Sequence, residues 1–253
     1  MQSLDMYFEH TKKLAMAEMQ SFNSATGKET NCDVCKGRGY VAEIIKDNNR
    51  GFYMSVKECP CMANKRNMVK AKNSGTDALL SKSFDNYIAN TIWQQNIKNL
   101  AIKNSKTKDW FYIGGQSGAG KTHICSAITN YQSRNNIRVK YLVWTDEINK
   151  LKDYEDDSFM QTVKKVECLY IDDLFKKSRG INGLPNLTTA DIDKTWELIN
   201  FRYLNKLKTI ISSELSLEQI IKIDESLGGR IKQNAREYVI SLGKDVERNM
   251  RLH

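Results

Sequence analysis

The sequence lacks the features of disordered, membrane-spanning and secreted proteins. It contains only two prolines in 253 residues, and 40% of its residues are hydrophobic, which argues against a disordered chain. No apolar run approaches the ~20 residues needed to cross a bilayer. The N-terminus, Met1 to Met6, lacks the basic and then apolar pattern of a signal peptide. We therefore expect a cytoplasmic protein without a membrane association, whose six cysteines are thiols or metal ligands and not disulfides.

The formal charge of +9 suits a partner rich in phosphate, of which nucleic acid is the usual one. The chain is also heavy in Lys, Asn and Ile, a bias that an AT-rich genome produces without any binding surface. Charge alone leaves both explanations open.

The length suits one domain of ordinary size and a small additional unit. Residues 1–23 have the periodicity of an amphipathic helix, and the segment 65–83 is typical of a basic helix and a flexible joint. From Ser83 onward, strand and helix patterns alternate, which indicates a parallel sheet with helices on its faces. We predict an N-terminal domain over 1–75 and an α/β domain over 83–253. The predicted strands are 110–114, 138–143, 167–171, 208–213 and 237–242, and the predicted helices lie near 88–104, 121–134, 145–152, 158–165, 189–206 and 215–222.

The segment Gly115-Gln-Ser-Gly-Ala-Gly-Lys-Thr122 matches the phosphate-loop pattern GxxxxGK[ST]. An apolar strand pattern precedes it and a helical pattern follows it, which is the context that the loop requires. Backbone N–H groups and the positive end of the helix dipole would then face a bound phosphate. Lys121 would reach the β- and γ-phosphates, and the Thr122 hydroxyl would hold Mg²⁺. The predicted nucleotide-binding residues are Gly115, Gln116, Ser117, Gly118, Ala119, Gly120, Lys121 and Thr122, and the sequence predicts a protein that binds a nucleoside triphosphate.

Two cysteine pairs, Cys32 with Cys35 and Cys59 with Cys61, lie on either side of a loop. Four thiolates would complete a closed tetrahedral zinc site, which leaves no open position for chemistry and is therefore structural. A redox pair or unrelated buried thiols are the alternatives. Cys125 and Cys168 fall within a helix and a strand of the predicted sheet domain and are expected to be core residues.

The apolar stretch Cys168 to Ile171 ends in two carboxylates, Asp172 and Asp173. Functional groups of such sheets gather at the carboxyl ends of the strands, beside the phosphate loop. We expect Asp172 to hold the Mg²⁺ shell and Asp173 to orient the attacking water. The alternative is a strand that runs into an acidic turn.

Two further positions complete the predicted chemistry. Strand 209–213 ends in polar residues, so Ser213 or Glu214 could sense the γ-phosphate, although a simple strand end explains them as well. The chain after Glu214 is short for a full helical lid, which predicts that a neighbouring subunit completes the site. Arg230 follows two glycines, and a short helix is expected after them. This context suits an arginine that is presented at the surface and acts on the neighbouring subunit; a surface arginine with no role is the alternative.

Taken together, these motifs resemble the bacterial and phage replicative-helicase loaders of the DnaC/DnaI type, a branch of the AAA+ ATPases. The matching segments are Ser83–Tyr87, Gly114–Thr122, Ile171–Phe175, Ile199–Tyr203, Thr209–Glu214 and Leu227–Ile231. The cysteine segment is similar to the N-terminal zinc unit of phage and low-GC bacterial members. The resemblance implies an AAA+ core with a reduced or absent lid, preceded by a small helical and zinc-binding domain.

The resemblance also implies an activity and partners. It implies ATP hydrolysis with Mg²⁺, catalytic roles for Lys121, Asp173 and Arg230, and self-assembly through the ATPase domain, while the catalytic role of Ser213 rests on its place at the strand end. The implied partners are a hexameric replicative helicase and single-stranded DNA. Where many relatives carry Asn, this chain has Ser-Ser-Glu at 212–214, which is compatible with slow hydrolysis. The basic segment 175–180 would contact DNA through Lys176, Lys177 and Arg179, or else is a solvated loop.

Three functions remain in competition. The first is an ATP-dependent helicase loader encoded by a phage or other mobile element. The second is an IstB-like transposition helper ATPase, against which the cysteine unit counts. The third is a nucleotide-gated protein that occupies a helicase and hydrolyses almost nothing. A small-molecule kinase fits least, because no second substrate pocket or arginine-rich lid follows the metal strand.

Overall fold

The structure, a computed structural model, describes residues 2–28, 32–62, 65–66, 77–180, 183–243, 245 and 248–249. The chain divides into two compact units, residues 1–69 and 70–253. Most of the basic helix and joint predicted over 65–83 lies outside the described residues. None of the described helices combines the length and the apolar character that a membrane span requires.

The N-terminal unit is a helix packed on a two-stranded hairpin. Helix α1 spans Gln2–Ser24, and strands β1 (Tyr40–Asp47) and β2 (Gly51–Glu58) pair in antiparallel register. Phe8 of α1 meets Phe52 of β2 edge to face, with 6.3 Å between ring centroids. The predicted amphipathic helix is therefore confirmed, whereas the hairpin was not predicted.

The second unit is a five-stranded parallel sheet in the order β4-β5-β6-β3-β7. Its strands are β3 (Phe111–Gly115), β4 (Val139–Val143), β5 (Cys168–Leu174), β6 (Lys208–Ser213) and β7 (Val239–Leu242). Its helices are α2 (Asp77–Leu80), α3 (Ile92–Ser105), α4 (Lys121–Arg134), α5 (Trp144–Leu151), α6 (Ser158–Lys165), α7 (Thr189–Leu204), α8 (Leu217–Ile223) and α9 (Glu225–Ala235), and a 3₁₀ turn spans Arg236–Tyr238. The predicted α/β fold with helices on both faces is confirmed.

The core lies in two apolar layers, one on each face of the sheet. Along β3, Phe111 and Ile113 belong to the layer under α3 and α4, whereas Tyr112 belongs to the layer under α5 to α9. Successive residues of a strand point to opposite faces, so each strand contributes to both layers. The same alternation decides which side chains at the strand ends face the phosphate loop.

The region around Gly228 and Gly229 differs most from its prediction. Both glycines lie inside α9, where a short helix had been expected only after them. A Cβ at Gly228 would lie 2.5 Å from a side-chain carbon of Ile221 on α8, so glycine permits the close approach of the two helices. The Asp224 side chain caps α9 by accepting a hydrogen bond from the N–H of Leu227 (2.7 Å).

Candidate nucleotide and metal sites

The phosphate loop connects β3 to α4. Gly118 (φ +81°) and Gly120 (φ +77°) take the left-handed conformation that glycine adopts without strain. Gly120 is the N-cap of α4 and provides no side-chain cap, so the first backbone N–H groups of α4 remain available to a ligand. Ala119, between the two glycines, is fully buried. The loop is therefore shaped as an anion cradle.

Lys121 closes this loop from within. Its Nζ donates hydrogen bonds to the carbonyl oxygens of Gly115 (2.9 Å) and Gln116 (2.7 Å). Burial lowers the pKa of the Lys121 ammonium, and the negative charges of Glu214 and Asp173 oppose that shift. The lysine can leave these carbonyls for a phosphate oxygen, which offers a full negative charge.

Thr122 and Asp172 face each other at the start of α4. The Thr122 hydroxyl donates to Asp172 Oδ1 (3.2 Å), and the Tyr170 hydroxyl donates to the same oxygen (2.6 Å). Ser212 on β6 also donates to Asp172. A hydroxyl beside an oriented carboxylate is the donor set that hard cations such as Mg²⁺ prefer.

Asp173 lies in a strained turn at the end of β5. The pairing of β5 with β6 shifts between Ile171 and Leu174, and Asp173 has a positive φ of +54°. Its backbone N–H donates to the Ser212 hydroxyl (3.2 Å). Non-glycine residues in this conformation are uncommon and concentrate at functional sites.

Most predicted nucleotide-site residues line one cavity of about 480 Å³. Its wall contains Ser117, Gly118, Gly120, Lys121, Thr122, Asp172 and Asp173, together with Leu79, Lys82, His123 and Lys176. A neighbouring cavity of about 620 Å³ is lined by Gly115, Gln116 and Ser117, by Arg179 and Glu214, and by residues of α8 and of the chain after β7. The predicted phosphate-loop and metal-strand residues thus meet at one edge of the sheet.

Ser213 does not line either of these two cavities. It is fully buried, and its hydroxyl donates to the carbonyl oxygen of Leu174 (2.7 Å) and accepts from the N–H of Leu215 (3.1 Å). Ser212, one residue earlier, is the serine whose hydroxyl contacts Asp172 and Asp173. Strand alternation explains this, because Ser212 shares the face of α4 with Tyr170 and Asp172.

Arg230 is packed against its own domain. Its Nε donates to Asn200 Oδ1 (2.9 Å), and its guanidinium lies over the rings of Trp196 (5.3 Å) and Tyr203 (5.5 Å) on α7. It lines neither of the two cavities at the phosphate loop. Arg230 is half-buried within α9, whereas the sequence had suggested an arginine presented at the surface after two glycines.

The basic segment 175–180 does not form one common cationic surface. Lys176 pairs with Asp173 and Glu214, and Lys177 pairs with the buried carboxylate of Asp191. Arg179 is exposed and lines the larger cavity. Two of the three predicted DNA contacts are therefore engaged within the domain.

A cluster of four cysteines forms in the N-terminal unit. The Sγ atoms of Cys32, Cys35, Cys59 and Cys61 all lie within 4.8 Å of one another. The Sγ–Sγ distance is 3.9 Å between Cys32 and Cys59 and 3.5 Å between Cys35 and Cys61. Ligands about 2.3 Å from a tetrahedral zinc ion would be about 3.8 Å apart, so the observed spacing fits a single ion.

The backbone around the cysteines supports such a site. Lys36, Gly37 and Gly39 have positive φ angles, which fold the chain tightly after Cys35. The Gly39 N–H points at Cys35 Sγ (3.3 Å), an arrangement that stabilises a thiolate. Burial raises the pKa of the Cys59 thiol, and the neighbouring cysteines raise it further. Ionising the Cys59 thiol is thus costly unless a cation is present, and coordination to a metal ion would remove that cost.

The segment that leads into the sheet domain is fastened along α4. Asn130 Nδ2 donates to three carbonyl oxygens within residues 79–82, at distances of 2.7–3.3 Å. One side-chain nitrogen of His123, Nε2, lies 3.1 Å from the Ser83 carbonyl oxygen and 2.9 Å from Asn86 Oδ1. Burial lowers the pKa of the His123 imidazole. Nothing in the sequence pattern had marked Asn130 or His123 as functional, since their partners are known only from the fold.

Comparison with known proteins places these features. The family of the bacterial DnaA ATPase domain matches residues 80–234, which is more than half of the chain. The protein YqaM of Bacillus subtilis strain 168, which is described as uncharacterized, is 38% identical over 142 residues, covering 54% of this chain and 44% of the relative. The phage-like element PBSX protein XkdC of the same organism is 34% identical over 144 residues, covering 54% of this chain and 52% of the relative. The chain thus spans about half the length of these curated relatives.

Among solved structures, the DnaC helicase loader superimposes with a TM-score of 0.52 at 22% identity, over 66% of this chain and 99% of that one. At this identity the likeness establishes a shared fold.

Proposed function

We propose that this chain, which belongs to the family of the bacterial DnaA ATPase domain, binds and hydrolyses Mg-ATP to load a hexameric replicative helicase onto single-stranded DNA. The fold that it shares with the DnaC helicase loader supports this proposal. The observation that carries this proposal is the meeting of the phosphate loop with the Thr122–Asp172 pair, in a chain whose N-terminal unit holds a four-cysteine cluster. The match to a phage-like element protein supports an origin in a phage or other mobile element.

In the proposed reaction, each site residue has one task. Lys121 leaves the loop carbonyls and binds the β- and γ-phosphates. Thr122 and Asp172 would hold a magnesium ion, which would neutralise part of the phosphate charge. Asp173 orients the attacking water. Ser212 positions the Asp172 carboxylate by donating to it and fixes the backbone of Asp173 by accepting its N–H. The sensor role predicted for Ser213 gains no support, because its hydroxyl is engaged on the other face of β6.

The N-terminal unit is proposed to grip the helicase. Cys32, Cys35, Cys59 and Cys61 would hold a structural zinc ion, since a unit of this size buries little apolar surface of its own. Helix α1 leaves large apolar side chains exposed, among them Leu4 at 63% and Leu14 at 53%. Where such side chains form a contiguous patch, they are typical of a surface that a partner covers.

Self-assembly through the ATPase unit and a trans role of Arg230 complete the proposal. Arg230 would act on the nucleotide of the neighbouring subunit, which requires its release from Asn200 and the two rings of α7. Removal of an arginine that stabilises a phosphoryl transition state costs about 10³–10⁵ in rate. DNA binding is proposed through Lys177 and Arg179, and it would compete with the ion pair that joins Lys177 to Asp191.

Native mass spectrometry of the protein with the replicative helicase of its host, in Mg-ATP and then in ADP, tests the function. We expect a discrete complex that retains zinc and whose stoichiometry depends on ATP in the wild type. Lys121→Ala should lose the ATP dependence, whereas Lys108→Ala, at an exposed site away from the loop, should keep it. An intact helicase that forms no complex in either nucleotide would exclude loading and favour the transposition helper, to be tested by duplex DNA binding.

One observation favours a second candidate, the nucleotide-gated helicase-binding protein with little hydrolysis. Lys176 neutralises Asp173, the residue proposed to orient water, at 2.8 Å. A single-turnover assay with helicase and DNA distinguishes the two, comparing wild type with Asp173→Ala. Hydrolysis in the wild type that Asp173→Ala abolishes supports the ATPase, and hydrolysis in neither supports the gated binder.

A further inference from the structure

Two positively and two negatively charged side chains lie beside the phosphate loop. Lys176 Nζ lies 2.8 Å from Asp173 Oδ2 and 3.3 Å from Glu214 Oε1. Lys121 shares this environment, because the charges of Glu214, Asp173 and Lys176 all act on its ammonium. The ammonium of Lys121, which is to reach the terminal phosphates, thus has a second lysine and two carboxylates in its surroundings.

The fold holds Lys176 there. Phe175 has a positive φ of +60° and is fully buried, with its ring edge-on to Trp144 at 5.4 Å between centroids. The backbone N–H of Lys176 donates to the carbonyl oxygen of Asp173 (3.0 Å), which closes a tight turn. A strained backbone that a buried aromatic ring keeps in place directs Lys176 into the same cavity as Lys121 and Thr122.

A triphosphate entering this cavity changes the balance of charges. Asp173 and Glu214 would repel the γ-phosphate, which lies nearest to them in the proposed mode of binding. Neither serine at the end of β6 offers the phosphate a free hydroxyl, because Ser212 donates to Asp172 and Ser213 donates to Leu174. Lys176 is the cation beside them, and its side chain is 42% exposed, so its ammonium can turn at low cost.

We propose that Lys176 binds the γ-phosphate of ATP as a second lysine beside Lys121, and that it thereby distinguishes ATP from ADP. Asp173 and Glu214 hold the ammonium ready until the phosphate arrives. Its movement to the γ-phosphate then releases Asp173 to orient water. The inference rests on the proposed binding of ATP at this loop, and it adds the residue that senses the third phosphate.

Equilibrium binding of a non-hydrolysable ATP analogue and of ADP, each with Mg²⁺, tests the proposal. In Lys176→Met the Kd of the analogue should rise at least about tenfold, as expected for a lost charged hydrogen bond, while the Kd of ADP changes by less than about twofold. Lys176→Arg should restore most of the preference. Lys108→Met, which removes an exposed lysine outside the cavity, is the matched control and should change neither Kd.

A second variant provides a test that does not depend on whether Lys176→Met folds correctly. Glu214→Gln leaves the ammonium in place and loosens its tether, so the analogue should bind as tightly as to the wild type or more tightly. An unchanged ratio of the two Kd values in Lys176→Met, which includes an equal loss for both nucleotides, would overturn the proposal. Weaker binding of the analogue by Glu214→Gln would overturn it as well. If the wild type bound neither nucleotide, ATP binding itself would be refuted, an outcome distinct from an unchanged ratio.

Discussion

Removing the charge of Asp191 should destabilise the sheet domain substantially. Asp191 is fully buried at the third position of α7, where its Oδ2 accepts from the Thr188 N–H (2.9 Å) and from Lys177, and its Oδ1 accepts from Lys152 (2.9 Å). Burial alone would raise the pKa of Asp191, but the hydrogen bonds from Lys177 and Lys152 outweigh it and hold the pKa well below its usual range. One carboxylate thus joins α5, α7 and the loop after β5.

The expected magnitude for Asp191→Asn follows from these contacts. Breaking a buried ion pair costs about 3–5 kcal/mol. The side chains of Lys152 and Lys177 remain 22% and 30% exposed, so they can turn toward water, and the new amide oxygen can still accept the Thr188 N–H. We therefore expect the free energy of unfolding to fall by about 2–3 kcal/mol at pH 7, and Tm by about 5–10 °C for a domain of this size.

Thermal and urea unfolding followed by circular dichroism measure this loss. Because the folded pKa of Asp191 is depressed, its stabilisation is present above the unfolded pKa and is lost as the pH falls through the folded value. The gap between wild type and Asp191→Asn should therefore narrow below about pH 4. Asp193→Asn, at an exposed site two residues along α7, is the control and should lie within about 0.5 kcal/mol of the wild type. A Tm unchanged at pH 7, or a gap that does not depend on pH, would refute the reasoning.

Three further predictions follow from the other sites. Elemental analysis should find one zinc per chain, and Cys59→Ser should lose it, because a closed site needs all four thiolates; zinc retained at full occupancy in Cys59→Ser would contradict the four-cysteine site. Gly118→Ala should weaken ATP binding at least about tenfold in a binding titration. Residue 118 has φ +81°, and a Cβ there would lie 1.9 Å from Asn249 Oδ1. An unchanged Kd would show that the loop tolerates the side chain. Arg202→Met should lower the free energy of unfolding, measured by urea denaturation, by about 3 kcal/mol. The buried guanidinium donates hydrogen bonds to carbonyl oxygens at the end of α6, which the variant leaves without a donor. A loss below about 1 kcal/mol would mean that water replaces the guanidinium.

Much of the sheet domain follows from local pattern. The bounds of strand 208–213 and of helices 121–134 and 158–165 are as predicted, since each has a clear period and end signals. The phosphate loop and the two aspartates were found for the same reason, because their chemistry lies in residues adjacent in sequence. The four cysteines needed only their spacing to be grouped, and the structure brings them together.

The rest depended on contacts that no local pattern encodes. Helix α9 contains Gly228, whose low helix propensity is offset by its close packing on α8. Ser212 rather than Ser213 faces the site because of the register of β6 beside a shifted β5. The ion pair from Lys176 to Glu214 joins two loops across the sheet edge, so the partner could not be inferred from a basic run alone.

The fastening of residues 79–86 along α4 has a consequence for how the protein can be divided. A fragment that began at Phe84 would retain every sheet strand, yet it would leave the Asn130 amide without its three carbonyl acceptors and His123 without the Ser83 carbonyl. Since α4 also carries Lys121 and Thr122, the loss of these bonds would disturb the position of the helix that begins at the nucleotide site. A fragment that begins at Asp77 keeps these bonds, so the smallest autonomous form of the sheet domain should include the segment 77–83.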